Sequence, residues 1–188
     1  DVDMEALAKT TMGYSGAELQ KLVNESALKA AREGKRVVEM EDFYYAEDLI
    51  VMGTRRNEKV DVEERRLTAW HEAGHAVLAW YQEGMDPVHK VSIVPRGQTG
   101  GVTRFLPEKE VPNTGRKAFF KRLVMTMGGR AAEMIVFNEY SAGASGDIEQ
   151  ATRIARHMMA HWGMSEKIGP VSFKQSDEHP FLGKEMHS

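Results

Sequence analysis

Apolar side chains recur with helical spacing along most of the chain, and this pattern predicts a mainly α-helical fold. Helices are predicted over residues 4–8, 40–51, 114–137 and 148–162. Two further helices are predicted to begin after Ser15 and after Asp61. Apolar and polar residues alternate over 88–94, and a glycine-rich turn separates this segment from a second short segment at 102–106. These two segments predict a short β-hairpin within an otherwise helical protein.

Capping signals mark where two of these helices begin. Ser15 with Glu18, and Asp61 with Glu64, each place an N-cap side chain three residues before a glutamate, which is the spacing of a capping box. Gly34 fits the end of the first of these helices. The polar segment 53–59 then separates a small helical unit from the rest of the chain, and we place a domain boundary there.

The composition fits a soluble globular protein of one or two domains, with 188 residues of which 41% are hydrophobic and 28% charged. The net charge of −3 offers no basic field for nucleic acid. The absence of cysteine excludes disulfides and cysteine-ligated metal, and is compatible with a reducing compartment. No apolar run is long enough to span a membrane. Since the first residue is not methionine, we expect a piece of a longer protein.

The most informative motif is the pentapeptide His-Glu-Ala-Gly-His at 71–75, inside the helix that follows Asp61. Side chains at i and i+4 lie one above the other on a helix, so His71 and His75 can direct two imidazoles at one metal ion. Glu72 lies one position further round and can reach water beside that ion. This arrangement indicates a zinc hydrolase.

A catalytic zinc takes three protein ligands, and the third is left open by spacing alone. The metzincin pattern is excluded because Leu78 and Tyr81 stand where it needs glycine and histidine. Two residues are equal candidates: Glu133, on a downstream helix, and Asp147, which follows a loop of small residues at 141–146. We call residues 141–146 the small-residue loop. Asp147 could instead complement a helix dipole, and Glu133 could pair with Arg130.

A second histidine pair, His157 and His161, has the same spacing of four residues. No glutamate lies between these histidines, and the surrounding helix is charged. We therefore interpret them as surface residues and not as metal ligands.

Six stretches together carry a family resemblance that covers essentially the whole chain in order. They read GYSGAEL at 13–19, HEAGHA at 71–76, DPVHKVSIVPRG at 86–97, GGRAAE at 128–133, GASGD at 143–147 and WGMSE at 162–166. With these motifs the chain resembles the FtsH family of membrane-anchored, ATP-dependent zinc metalloproteases.

The resemblance implies a role for each residue of the candidate site. His71, His75 and Asp147 would be the zinc ligands, because Asp147 matches the aspartate that follows the small-residue loop in the family. Glu72 would be the catalytic base. Glu133 would orient one of the ligand histidines instead of binding the metal.

The resemblance also implies a division into two domains. Residues 1–56 would form the C-terminal helical lid of a AAA ATPase module, in which Gly16 and Ala17 approach the nucleotide. Residues 57–188 would form a helical, zincin-like metallopeptidase domain with a short β-hairpin, truncated at its C-terminus. The whole is expected to be mainly α.

The chain departs from the family pattern in several places. It has no phosphate-binding Gly-x-x-x-x-Gly-Lys-Ser/Thr motif, so we expect no ATPase activity from it alone, and ATP with Mg²⁺ belongs to the full-length protein. The membrane spans and the C-terminal helical segment of the family are also missing. Gly146 replaces an asparagine that is common in the family, and segment 111–115 has no assigned role.

The expected function is zinc-dependent cleavage of peptide bonds in unfolded or membrane proteins, within a homo-hexamer in the full-length protein. The strand that includes Gly101, Val102 and Thr103 is equally compatible with binding an extended substrate and with being an ordinary hairpin strand. We expect no nucleic acid partner. The family resemblance implies membrane anchoring, with these domains at the cytoplasmic face of a bacterial plasma membrane, or at an organellar inner or thylakoid membrane.

Two alternative functions compete with this one. The chain could be a non-catalytic module that assembles subunits and binds partners, but the intact set of Glu72 and three ligands favours catalysis. It could also be an unrelated zinc hydrolase of small amides, but a lid of the AAA type goes with protein substrates.

Overall fold

The computed structural model describes residues 2–56, 60–97, 99–106 and 115–173, and it confirms a mainly helical fold with one small sheet. The helices in chain order are α1 (Met4–Thr10), α2 (Gly16–Arg32), α3 (Met40–Met52), α4 (Val62–Tyr81), α5 (Arg116–Thr126), α6 (Gly128–Phe137) and α7 (Ser145–Ala160). The strands are β1 (Val88–Ser92) and β2 (Val102–Phe105), which pair antiparallel as the predicted hairpin.

Helices α1 to α3 form a unit with its own small core, which we call the N-terminal unit. Leu7, Leu22 and Ala46 are its buried apolar centre. The capping box at the start of α2 is confirmed, because Ser15 accepts a hydrogen bond from the backbone of Glu18 and the Glu18 carboxylate accepts one from the backbone of Ser15. The sequence pattern therefore predicts this unit well.

Helices α4 and α6 cross at very short range, and glycine makes this crossing possible. A Cβ atom on Gly74 would collide with the backbone of Gly128. A Cβ on Gly128 would in turn lie 2.7 Å from the carbonyl oxygen of Gly74. Because neither residue has a side chain, the helix that carries the histidine motif lies directly on α6.

The backbone joins the segment after α3 to the loop between the strands. Arg56 donates to the carbonyl of Pro95 at 3.1 Å, and Gly97 donates to the carbonyl of Thr54 at the same distance. Gly97 has a positive φ of 51°, and a Cβ there would lie 2.6 Å from the carbonyl oxygen of Met52. The end of the N-terminal unit is therefore attached to the hairpin loop by direct contacts.

Several predicted boundaries are wrong. The single helix predicted over 114–137 is two helices, because the chain turns at Met127 and lets Gly128 and Gly129 press onto α4. Because glycine has a low helix propensity, interrupting the helix at this point costs little free energy. Helix α7 begins at Ser145, so Asp147 lies inside its first turn instead of before it.

Smaller differences concern helix caps and strand ends. Asp61 is the N-cap of α4, but its side chain accepts from the backbone of Glu63, without the reciprocal contact to Glu64 that the predicted capping box requires. Strand β1 ends at Ser92 and β2 at Phe105, both before the predicted ends. Gly34 follows α2 with a φ of 70°, as its predicted role requires. Segment 111–114 lies outside the described residues.

Candidate metal centre

Three predicted ligands meet at one point between α4 and α7. The Nε2 atoms of His71 and His75 are 3.1 Å apart. The Oδ2 atom of Asp147 lies 3.0 Å from the first and 3.3 Å from the second. Within the described residues, this trio is the group of ligand-type side chains close enough together to hold a metal ion.

The geometry of these three atoms fits a tetrahedral zinc ion. Nitrogen and carboxylate ligands bind zinc at about 2.0–2.2 Å, so two ligands at the tetrahedral angle are roughly 3.3–3.6 Å apart. The distances among His71, His75 and Asp147 approach this separation from below. Two imidazoles and one carboxylate also leave one tetrahedral position for water or substrate, as in catalytic zinc sites.

The far nitrogen of each imidazole is held by a partner on another helix. The Nδ1 of His71 donates to Oε1 of Glu133 at 2.6 Å, and the Nδ1 of His75 donates to the carbonyl of Met125 at 2.8 Å. In the neutral rings, both Nε2 atoms then carry the lone pair that a metal needs. The residue Met125 on α5 and the residue Glu133 on α6 therefore orient the two histidines of α4.

Glu133 supports His71 from a buried position and is itself held by the small-residue loop. Its side chain is 1% exposed. The backbone N–H of Ser141 donates to Oε2 of Glu133 at 2.9 Å, and the Ser141 hydroxyl donates to Oε1 at 3.0 Å. These bonds direct Glu133 to the outer nitrogen of His71, whereas Asp147 lies beside both Nε2 atoms and could complete a metal site with them.

The charges of the site are strongly coupled. Burial lowers the pKa of His71, but hydrogen bonds to Asp147 and Glu133 outweigh it and raise this pKa to about 9. The pKa of His75 is also raised, by Asp147 and the Met125 carbonyl against burial. Burial raises the pKa of Asp147, but its hydrogen bonds to the two histidines lower it to about 2. The donor set therefore has a high affinity for positive charge.

Glu72 is buried beside the ligands and is held by β2. Glu72 as a whole is 7% exposed. The Thr103 hydroxyl donates to Oε2 of Glu72 at 2.7 Å and also lies 3.0 Å from the Glu72 carbonyl oxygen. Burial raises the pKa of the Glu72 carboxyl, and the Thr103 hydroxyl partly opposes this rise. A carboxylate with a raised pKa is a stronger base.

The ligands and Glu72 open into one cavity of about 930 Å³. Gly101, Val102 and Thr103 line it on one side, and the small-residue loop lines it on the other. A Cβ on Gly101 would lie 2.9 Å from Oε1 of Glu72, so the absence of a side chain lets the strand segment approach the carboxylate. This volume is large enough for several residues of a peptide.

Other residues singled out in the sequence lie elsewhere. Gly16 and Ala17 are exposed in the first turn of α2 and do not line the cavity. His161 is exposed as predicted, whereas His157 is half-buried with its ring 5.4 Å from that of Trp162. The large apolar side chain of Trp80, near the end of α4, is 77% exposed.

Three contributors to the site were not anticipated from the sequence. The sequence places Thr103 in a strand that is equally compatible with substrate binding and with an ordinary hairpin, and its hydroxyl contact with Glu72 has no sequence signature. The Met125 carbonyl carries no side-chain signal at all. Ser141 could have been noted as a polar residue at the start of the small-residue loop, but its bond to Glu133 depends on how α6 and this loop fold together.

Family comparisons agree with this geometry. The sequence model of peptidase family M41 matches residues 58–188, and that of the AAA+ lid domain matches residues 1–44. The chain belongs to peptidase family M41. This membership classes it as a metalloendopeptidase and thus a hydrolase, and the expected FtsH resemblance is confirmed.

Relatives of this M41 chain are named zinc metalloproteases. It is 51% identical over 187 residues to ATP-dependent zinc metalloprotease FtsH 1 of Rhodopirellula baltica, covering 100% of this chain and 28% of that protein. It is 48% identical over 188 residues to ATP-dependent zinc metalloprotease FtsH of Syntrophotalea carbinolica, covering 100% of this chain and 29% of the relative. Zinc is therefore the metal that His71, His75 and Asp147 fit.

The M41 chain spans only a minor part of these relatives. It covers 30% of the Myxococcus xanthus ATP-dependent zinc metalloprotease FtsH, to which it is 50% identical over 189 residues. Among the helices of the described residues, none combines the length and the apolar character needed to cross a membrane.

Proposed function

We propose that this chain cleaves peptide bonds with a zinc ion held by His71, His75 and Asp147, and that Glu72 is the catalytic base. The observation that carries the proposal is the meeting of these four side chains in one cavity, with Glu72 buried beside the ligand atoms. The open coordination position and the adjacent carboxylate are what metal-assisted hydrolysis of an amide requires.

The proposed mechanism assigns proton transfer to Glu72. Zinc, when bound, supplies Lewis acidity that activates water and polarises the scissile carbonyl. The Thr103 hydroxyl donates a hydrogen bond to Oε2 of Glu72, so Oε1 is left to accept the proton of the attacking water. Glu72 then returns this proton to the leaving amine, so the carboxylate is regenerated in each cycle.

The proposed substrate site is the free edge of β2. Within the described part of the chain, β2 pairs with β1 alone, so its other edge can pair with an extended peptide. Gly101, Val102 and Thr103 line the cavity next to Glu72 and would hold the peptide through its main chain. Main-chain recognition would give broad sequence specificity, which suits removal of unfolded proteins.

We further propose the arrangement of the whole protein from which this sequence derives. Residues 1–56 would be the AAA lid, with Gly16 and Ala17 towards the nucleotide, and residues 57–188 the peptidase domain. The lid model, which matches residues 1–44, and the M41 model, which begins at residue 58, support this order of domains. The relatives' description as ATP-dependent supports a role for ATP and Mg²⁺ in the complete protein, which we propose to be a membrane-anchored homo-hexamer that degrades proteins.

The test is a pair of glutamate variants on α4. Glu72→Gln should retain one equivalent of zinc and lose cleavage of a fluorogenic peptide by a factor of about 10² or more, as expected for loss of a general base. Glu64→Gln, an exposed change on the same helix, is the control and should cleave like the wild type. Cleavage by Glu72→Gln at the wild-type rate would refute the mechanism. A zinc-loaded wild-type chain without cleavage would favour the assembly role instead.

A further inference from the structure

A buried ionic interface joins the N-terminal unit to the hairpin. Asp48 on α3 lies 2.6 Å from Nζ of Lys90 on β1 and 3.2 Å from Nη2 of Arg96 in the hairpin loop. Its neighbour Glu47 pairs at 2.5 Å with Arg104 on β2. Both acidic residues are nearly inaccessible, with Glu47 1% and Asp48 6% exposed.

This interface is poorly suited to maximise stability. Burying charged groups costs several kcal/mol per ion in desolvation, and an ion pair recovers this only when every polar atom is satisfied. Here Oδ1 of Asp48 and Nε of Arg96 are buried without a hydrogen-bond partner. An apolar interface of the same size would stabilise the contact at least as well, so the charges favour a role in orientation.

Strand β2 connects this interface to the catalytic base. Successive side chains on a strand point to opposite faces. Arg104 accordingly faces α3, where it contacts Glu47, while its neighbour Thr103 faces α4, where its hydroxyl contacts Glu72. One short strand therefore lies between the N-terminal unit and the carboxylate that the proposed mechanism needs.

Both oxygens of the Glu72 carboxylate are close to this strand segment. Thr103 donates to Oε2, and the backbone of Gly101 lies so near that a Cβ there would be 2.9 Å from Oε1. The position of the carboxylate thus depends on where residues 101–103 lie. A displacement of about 1 Å at a reacting group can cost roughly 10²-fold in rate.

We infer that Glu47 and Arg104 are positioning residues for Glu72. Their ion pair holds β2 against the N-terminal unit, and β2 holds the carboxylate through the Thr103 hydroxyl. The inference rests on the proposed catalytic role of Glu72. It makes the N-terminal unit a determinant of the geometry of the peptidase site, although none of its side chains lines the cavity.

The decisive comparison uses two single variants of the same interface. Arg104→Met removes the charge next to Thr103. Lys90→Met is the matched control, because it removes an ion pair with the same helix from β1, and among the described residues no side chain of β1 forms a hydrogen bond or ion pair with Glu72. We expect Arg104→Met to lower kcat about tenfold with KM nearly unchanged, and Lys90→Met to change kcat by less than about twofold. Equal losses would overturn the inference.

A double-mutant cycle tests whether the effect passes through the hydroxyl. Thr103→Val removes the contact with Glu72, so adding Arg104→Met to it should lower kcat by less than about twofold more. Thr103→Ser keeps a hydroxyl and should restore the sensitivity to Arg104→Met. A full tenfold loss from Arg104→Met in the Thr103→Val background would show that Arg104 acts by another route, and would refute the proposal.

An NMR measurement that does not depend on catalytic activity separates this inference from the proposed function. The Thr103 methyl group gives a ¹³C–¹H signal in a selectively labelled chain. Arg104→Met and Glu47→Gln should shift this signal alike, whereas Lys90→Met should leave it nearly unchanged. If the wild-type zinc-loaded chain cleaves no peptide, the proposed function fails while this signal still decides the coupling. An unshifted signal in Arg104→Met overturns the coupling even if peptides are cleaved.

Discussion

Zinc binding to the metal-free chain should release protons, and the affinity for zinc should rise with pH between 7 and 8.5. In the absence of metal, the hydrogen bonds of His71 to Asp147 and Glu133 raise its pKa to about 9. The ring is therefore an imidazolium at neutral pH, and its Nε2 must lose a proton before it can bind zinc.

The size of the effect follows from this pKa. At pH 7.5, the pKa of His71 lies roughly 1.5 units above the solution pH, so deprotonation costs about 2 kcal/mol. The apparent zinc affinity should then rise about tenfold per pH unit and level off near pH 9. His75, whose pKa is also raised, adds a contribution of the same sign. We expect release of at least about one proton per zinc.

The raised pKa of His71 also predicts how the stability of the metal-free fold depends on pH. A histidine whose pKa is raised on folding stabilises the folded state fully below its unfolded pKa, for which the reference value is 6.5. This contribution is lost as the pH rises through about 9. Zinc-free protein should thus become less stable over the range in which zinc binding becomes tighter.

Titration calorimetry in two buffers of different ionisation enthalpy measures the released protons directly. Glu72→Gln is the control, since retained proton release in this variant shows that the protons do not come from Glu72. His71→Ala should remove most of the binding, together with the proton that the His71 ring releases. A heat of binding that is independent of buffer, or equal affinities at pH 7 and pH 8.5, would refute the assigned protonation of His71.

Three further predictions concern the surroundings of the site. Gly129→Ala should destabilise the zinc-free chain by about 1–3 kcal/mol in urea unfolding, because its Cβ would collide with the His71 ring. Gly146→Ala, with no atom near its Cβ, should change stability by less than about 0.5 kcal/mol, and equal losses would contradict this. Thr126→Val should raise stability by about 1 kcal/mol, since the Thr126 hydroxyl is buried without a partner, and a lower melting temperature would be inconsistent with that. Glu133→Gln should weaken zinc binding about 10–100-fold in competition with a chelator, and unchanged affinity would exclude its orienting role.

The parts of the site that lie on one helix could be predicted from the sequence. His71, Glu72 and His75 follow from helical periodicity, because spacing along one helix determines which side chains share a face. Asp147 and Glu133 could not be separated by spacing, since each reaches the site through the packing of a distant helix. The family resemblance assigned Asp147 as ligand, and the geometry of Ser141 with Glu133 agrees with that assignment.

The larger errors made from the sequence, the break at Met127 and the unpredicted ion pair of Glu47, share one physical cause, which is long-range packing. The break at Met127 depends on the close approach of α4 and α6, and a helical pattern that continues through it cannot reveal this contact. The ion pair between Glu47 and Arg104 joins residues far apart in the chain, and two charged residues in a sequence predict solvent exposure. The Ser15 capping box was predicted correctly because all of its atoms lie within one turn, whereas the same local signal at Asp61 forms the N-cap contact without the reciprocal one to Glu64.

The donor set described above also bears on the choice of metal. Two imidazole nitrogens and one carboxylate oxygen form a site of intermediate softness, and such sites bind Cu²⁺ more tightly than Zn²⁺ by the Irving–Williams order. Nothing in the identity of His71, His75 and Asp147 reverses that order. Zinc occupancy in a cell therefore depends on which ions are freely supplied when the chain folds, and protein purified in the presence of stray copper would acquire the wrong metal.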